Sequence, residues 1–120
     1  MGTVKNFEEL DIWKLSRIIV KEIYSDFSKR TDPGFKDQIT RAGISVMNNI
    51  SEGFCRTTDA EFRNFLNFAK GSAGELKNMY YIAEDLEFIK AEQAAERRET
   101  IQGLINGISK LMKYLKKPTT

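Results

Sequence analysis

Gln38, Arg41, Ser45, Asn49, Glu52 and Arg56 follow one another at steps of three or four residues, the spacing that aligns side chains along one edge of a helix. A second row, Glu61, Phe68, Ser72, Glu75 and Met79, has a comparable pattern. Two readings follow. In one, Arg41, Asn49, Glu52 and Arg56 form a binding or catalytic pocket. In the other, the two edges meet within or between subunits, Arg41 and Arg56 pair with Glu52, Glu61 or Glu75, and Asn49 bonds to a neighbouring backbone. Such a network fixes register and partner choice even when its net stabilisation is small. Under this second reading Glu52 is expected to be substantially buried beside Arg41 or Arg56.

The rest of the composition narrows the chemistry. The chain has no histidine and one cysteine, which removes the commonest general base, the commonest zinc ligand and any thiolate cluster. A metal or triad enzyme is not expected, nor is a di-iron carboxylate site, which needs Glu-x-x-His pairs. Cys55 beside Arg56 reads as a small packing residue. Gly71-Ser72-Ala73-Gly74 lies inside a helical pattern and lacks the strand and the Lys-Ser/Thr of a phosphate-binding loop. The expectation is a protein without enzymatic activity and without a cofactor.

The elements that must position these residues are helical. At 120 residues, 41% hydrophobic and 30% charged, the chain has the size and balance of one globular domain. Leu10, Trp13, Val20, Ile23, Tyr24 and Phe27, with a second row at Ile12, Ile19 and Ile23, predict a helix over about 8–29. Thr31-Asp32-Pro33-Gly34 stops it, and Phe35, Ile39, Ala42, Val46 and Ile50 carry a second over about 36–53. Thr58 and Glu61 have the spacing of a capping box and open a third, about 59–87. Gly71 and Gly74 inside it cost about 1 kcal/mol each relative to alanine, which implies that another backbone comes close. Phe88 and Ile89 are expected to plug the end of the bundle. Ile101, Leu104, Ile108, Leu111 and Leu115 mark a fourth, about 91–116. Four helices with short connections predict an all-α, antiparallel up-and-down four-helix bundle.

Within this frame, Phe7-x-x-Leu10-x-x-Trp13, then Gln38-Ile39-x-Arg41-Ala42-x-x-Ser45-Val46-x-x-Asn49-Ile50-Ser51-Glu52-Gly53, Arg56, and Glu61-Phe62-x-x-Phe65-Leu66-x-x-Ala69-x-Gly71-Ser72-x-x-Glu75-Leu76 closely resemble the bacterial four-helix-bundle family of 23S ribosomal RNA intervening-sequence proteins. The resemblance runs from Phe7 to about Leu115. Ser51 stands where the family usually has alanine, and Asp32-Pro33-Gly34-Phe35-Lys36 replaces a frequent tyrosine-glycine-leucine turn. The resemblance implies a homopentamer, with a fold shared with the accessory protein of diversity-generating retroelements, which works beside a reverse transcriptase and nucleic acid. It implies no enzymatic activity.

Charge leaves two classes of partner open. Nineteen basic against seventeen acidic residues give weak attraction to nucleic acid, but Lys110, Lys113, Lys116 and Lys117 crowd the end of the fourth helix. They are either a cationic helix terminus, solvated and matched to the dipole, or phosphate contacts that an oligomer would multiply. RNA or DNA association is one expectation. A scaffold or accessory subunit for a protein partner, presenting Phe68, Met79, Tyr80 and Tyr81, is the other. No uncharged stretch approaches a membrane span, and Met1 to Leu10 lacks the apolar core of a signal peptide. The cytoplasm is therefore the expected compartment, with no membrane partner.

Overall fold

Asn6 caps a short 3-10 turn, Phe7–Glu9, in which the Glu9 carboxylate accepts from the Asn6 N–H at 2.9 Å. The computed structural model describes residues 3–29 and 32–116. Four helices follow the turn: α1 (Asp11–Asp26), α2 (Pro33–Phe54), α3 (Asp59–Asp85) and α4 (Ala91–Leu115). Among the described residues there is no strand. Thr31 and Lys117 lie outside them.

The helix ends differ from the expected bounds for local reasons. Leu10 is extended, with φ −73° and ψ 128°, so the first turn is separated from α1 instead of continuous with it. α1 closes at Asp26 because Phe27 leaves helical geometry (φ −116°, ψ 16°) and enters the core with no exposed surface. Pro33 begins α2 instead of delaying it. Proline is tolerated in the first helical turn, where its missing N–H costs nothing, and the Asp32 carboxylate caps the Phe35 N–H at 3.0 Å. Thr58 caps α3 through the Glu61 N–H at 3.1 Å. At the other end of α3, Glu87 takes φ 58°. The N–H groups of Phe88 and Glu87 donate back to the carbonyls of Ala83 and Glu84 at 2.8 and 3.0 Å, the bonding of a Schellman motif. A glutamate in this left-handed position carries about 1–2 kcal/mol of backbone strain.

Each helix packs on its chain neighbours, and α4 closes the square against α1. Moving back along one helix moves forward along the next: Phe54 meets Phe62 and Ser45 meets Ser72, and Glu84 meets Arg98 while Lys77 meets Gln102, so neighbours run antiparallel. The core is continuous through Ile23, Ile39, Ile50, Leu66, Leu76, Leu104 and Ile108, all fully buried. Burying each such side chain contributes about 1.5–3 kcal/mol. One end is closed by an aromatic chain: Tyr80 on Phe27 (5.7 Å between centroids), Phe27 on Phe35 (5.4 Å) and Phe35 on Phe88 (5.1 Å). Phe88 and Ile89 are half-buried against the core, at the position expected of an end plug. Tyr24 leaves the apolar face expected of it and is 49% exposed.

Close backbone approach is provided by glycines other than the two singled out in α3. A Cβ on Gly53 would meet the Phe65 Cβ at 2.6 Å, one on Gly43 the Ile23 Cδ1 at 2.5 Å, and one on Gly107 the Ile12 Cγ2 at 3.0 Å. Nothing lies within 4 Å of a Cβ built on Gly71, Gly74 or Gly103. Gly53→Ala, facing the unyielding base of a side chain, is expected to destabilise by about 1–3 kcal/mol. Gly103→Ala should instead stabilise by about 0.4–1 kcal/mol. Urea unfolding at one fixed protein concentration measures both, and equal effects would contradict this account of the seam.

Candidate functional site

The polar row of α2 divides at the α2–α3 seam. Ser45 and Asn49 are half-buried there. The hydroxyls of Ser45 and Ser72 are 2.8 Å apart, and the Asn49 amide donates to the Ser45 carbonyl at 2.8 Å and to its hydroxyl at 3.1 Å. These three residues are what the structure brings together from the two rows.

The rest stay on the surface. Gln38 is exposed. Arg41 pairs with Asp37 at 2.9 Å, both well exposed. Arg56 reaches Glu52 at 3.2 Å, with 42% and 55% of their side chains exposed, and its guanidinium lies 4.7 Å over the Phe65 ring. The expectation of a substantially buried Glu52 is therefore corrected: Gly53, one residue on, is the position turned into the seam, which leaves Glu52 pointing past it. Glu61 serves the start of α3 by accepting from the hydroxyls of Thr57 and Thr58 at 3.2 and 3.0 Å. Glu75 is exposed and has no ion-pair partner among the described residues. Cys55 is exposed as well, so it is not the packing residue expected. Met79 and Tyr80 belong to the core, while Phe68 and Tyr81 are 52% and 50% exposed. Lys110, Lys113 and Lys116 are exposed along the end of α4.

The concentrated polar chemistry lies elsewhere, where α1, α3 and α4 meet. Asp26, the last residue of α1, has a side chain only 1% exposed and accepts four hydrogen bonds. Arg97 holds it in a fork, Nε to Oδ2 at 2.9 Å and Nη2 to Oδ1 at 3.0 Å. The Tyr80 hydroxyl donates to Oδ2 at 2.8 Å and the Gln93 amide to Oδ1 at 2.6 Å. Arg97 also donates to Glu22 at 3.0 Å. The other Glu22 oxygen, Oε1, is buried without a hydrogen-bond partner among the described residues. Beside this cluster Arg98 pairs with Glu84 at 2.9 Å and covers the Tyr81 ring at 3.9 Å.

Both Asp26 oxygens are saturated by donors, which suits an anchor and leaves no lone pair aimed at a substrate. Burial, reinforced by the hydrogen bond to Asp26, pushes the Tyr80 phenol well above its ordinary value. The Asp26 hydrogen bond likewise holds Arg97 in its charged form. A phenol whose folded pKa is raised contributes fully below about pH 10 and loses that contribution as pH climbs further. The adjoining cleft between α1 and α4, about 350 Å³, is lined by Ile18, Lys21, Glu22, Ser25 and Arg97. No group of three metal-ligating side chains occurs among the described residues.

One sign of this cluster is present in the sequence. Ala94, Arg97, Ile101, Leu104, Ile108, Leu111 and Leu115 continue one apolar seam backwards in alternating steps of three and four, and Arg97 is the cation inside it. Its partners on α1 are more than seventy residues away and carry no comparable mark.

The fold and its interior thus define an antiparallel four-helix bundle with a buried ionic anchor. The chain belongs to the 23S rRNA-intervening sequence protein family, whose model matches residues 8–110. It is similar in fold to the crystal structure of a protein with unknown function from the S23 ribosomal protein family of Bacteroides thetaiotaomicron VPI-5482. The two are 23% identical, with a TM-score of 0.76 over 88% of this chain and 99% of that one. No curated protein matches the chain. Among the described residues no helix is long and apolar enough to cross a membrane.

Removing Asp26 takes both fork bonds from Arg97, leaving it Glu22, and strips Gln93 and the Tyr80 hydroxyl of their acceptor, so Asp26→Ala is expected to cost about 3–5 kcal/mol, the range for breaking a buried pair. Glu52→Ala removes a solvent-exposed pair and should cost no more than about 1 kcal/mol. Comparing the two variants by chemical denaturation checks the ranking, and the reverse order would return the organising role to α2.

Proposed function

We propose that the protein is a non-enzymatic helical bundle that works as a homo-oligomer. The observation that carries this reading is the solvent side of α3, where Phe68, Ile82 and Leu86 are 52%, 38% and 57% exposed. Gly71 and Gly74 stand bare on the same helix, with no atom near enough to explain them. An exposed glycine inside a helix costs about 1 kcal/mol relative to alanine, and no packing within the chain offsets it. Clustered exposed apolar residues on a surface helix mark a contact with another macromolecule. The sequence resemblance to the intervening-sequence proteins favours five copies. Light scattering should give a mass several times 13.8 kDa. Phe68→Asp with Leu86→Asp should reduce it towards the monomer while helicity is retained. A wild type that is strictly monomeric at micromolar concentration would overturn the reading.

A second reading concerns what the assembly binds. Lys110, Lys113 and Lys116 present exposed ammonium groups along the end of α4, and an oligomer repeats them with each copy. Association with RNA or DNA through the phosphate backbone fits this arrangement, since neutralised phosphates act together on affinity. Replacing Lys110, Lys113 and Lys117 by glutamine should weaken binding to all sequences alike, and the salt slope should fall by about 0.7–0.9 for every phosphate no longer neutralised. The apolar seam of α4 is untouched, so the variant should stay folded. Unchanged binding, or none by the wild type, would favour a scaffold for a protein partner.

A further inference from the structure

Resting on the assembly reading, we propose that copies join head to tail, the basic outer face of α1 in one copy lying along the acidic and apolar outer stripe of α3 in the next. On α1, Lys14, Arg17, Ile18 and Lys21 are all exposed, with Ile18 53% open to solvent. None of the three cations has an ion-pair partner among the described residues. Of the carboxylates on α1, Glu22 and Asp26 are both engaged by Arg97, and Asp11, exposed at the start of the row, is outnumbered by Lys14, Arg17 and Lys21, so the face stays basic. On α3, Phe68, Gly71, Glu75, Ile82, Asp85 and Leu86 are exposed, at the three-and-four spacing of one helical stripe. This stripe has two carboxylates and no cation.

Charge selects between the ways two copies could meet. Pairing α3 with α3 in a two-fold contact would set Glu75 and Asp85 against their own copies, and pairing α1 with α1 would crowd six cations. Like charges brought together in an interface are costly, whereas opposite ones fix register and partner. α1 against α3 satisfies both faces. Each brings an apolar residue between its charges, Ile18 between Lys14 and Lys21 on one and Ile82 between Glu75 and Asp85 on the other, with Phe68 and Leu86 flanking the second pair. The cleft beside Ile18, about 350 Å³, gives a projecting side chain a place to enter. α1 and α3 occupy opposite corners of the square, so one copy can offer both faces at once, and a contact between unlike faces propagates until a ring closes.

The experiment is a charge exchange followed by light scattering, with circular dichroism to confirm helicity. Lys14→Glu with Lys21→Glu, and separately Glu75→Lys with Asp85→Lys, should each raise the apparent dissociation constant of the assembly by about tenfold or more. All four substitutions in one chain should restore the wild-type mass. If the wild type assembles and both double variants assemble equally well, or the folded quadruple variant stays dissociated, this pairing is wrong while oligomerisation stands. A monomeric wild type would remove the assembly reading itself, and the pairing with it.

Discussion

Asp26 sits where a carboxylate is least welcome, at the C-terminal end of a helix, where the dipole is negative, and its side chain is almost wholly withdrawn from water. An isolated buried charge is prohibitively costly. The position is tenable only because Arg97 grips both oxygens and Tyr80 and Gln93 fill the remaining sites. Those donors come from α3 and α4, so a single carboxylate settles the heights at which three helices stand relative to one another. A purely apolar seam resists sliding through packing alone, whereas this one cannot move without also stranding charge.

The seams of the square are built by different means. α2 and α3 approach closely at Gly53, pack Phe54 on Phe62 and are bridged by the Ser45 and Ser72 hydroxyls, with Asn49 supporting Ser45 from within α2. α1 rests on α2 through Gly43, and on α4 through Gly107 together with the Arg97 ion pairs. Glycine at the contact points lets backbones come near, and ionic geometry then fixes register where α1, the shortest helix, has least apolar surface to hold it.

Four helices, the Thr58–Glu61 cap and the end plug at Phe88 are legible in the sequence from periodicity and turn chemistry, because local physics determines them. The start of α2 is harder to place, since Pro33 has the look of a stop when its position after Asp32 makes it a beginning. The row from Gln38 to Arg56 does lie along one edge, but alignment does not tell an edge that meets a neighbour from one that passes it. Hence Ser45 and Asn49 join the seam, while Glu52 and Arg41 stay in water. The Asp26 cluster is hidden because it unites residues from three helices, and only Arg97, interrupting an apolar seam, carries a local sign. In the exposed stripe of α3, Phe68 is legible as an edge residue, whereas Ile82 and Leu86 carry no sign of exposure until the neighbouring helices are placed.

The order of helices around the square also separates near contacts from far ones along the chain. Three of the four sides, α1–α2, α2–α3 and α3–α4, are hairpins whose partners are joined by a few residues, so their closure entropy is small. The fourth side, α4 on α1, joins the two ends of the described sequence and closes the longest loop. Among the described residues it carries two ion pairs between helices, Arg97 with Glu22 and with Asp26, against the one Arg98–Glu84 pair between α3 and α4. The bundle's directional ionic chemistry thus lies mostly on its most non-local joint, where topology makes closure slowest, and an opening fluctuation that begins there must part the Arg97 ion pairs while α1 keeps its packing on α2.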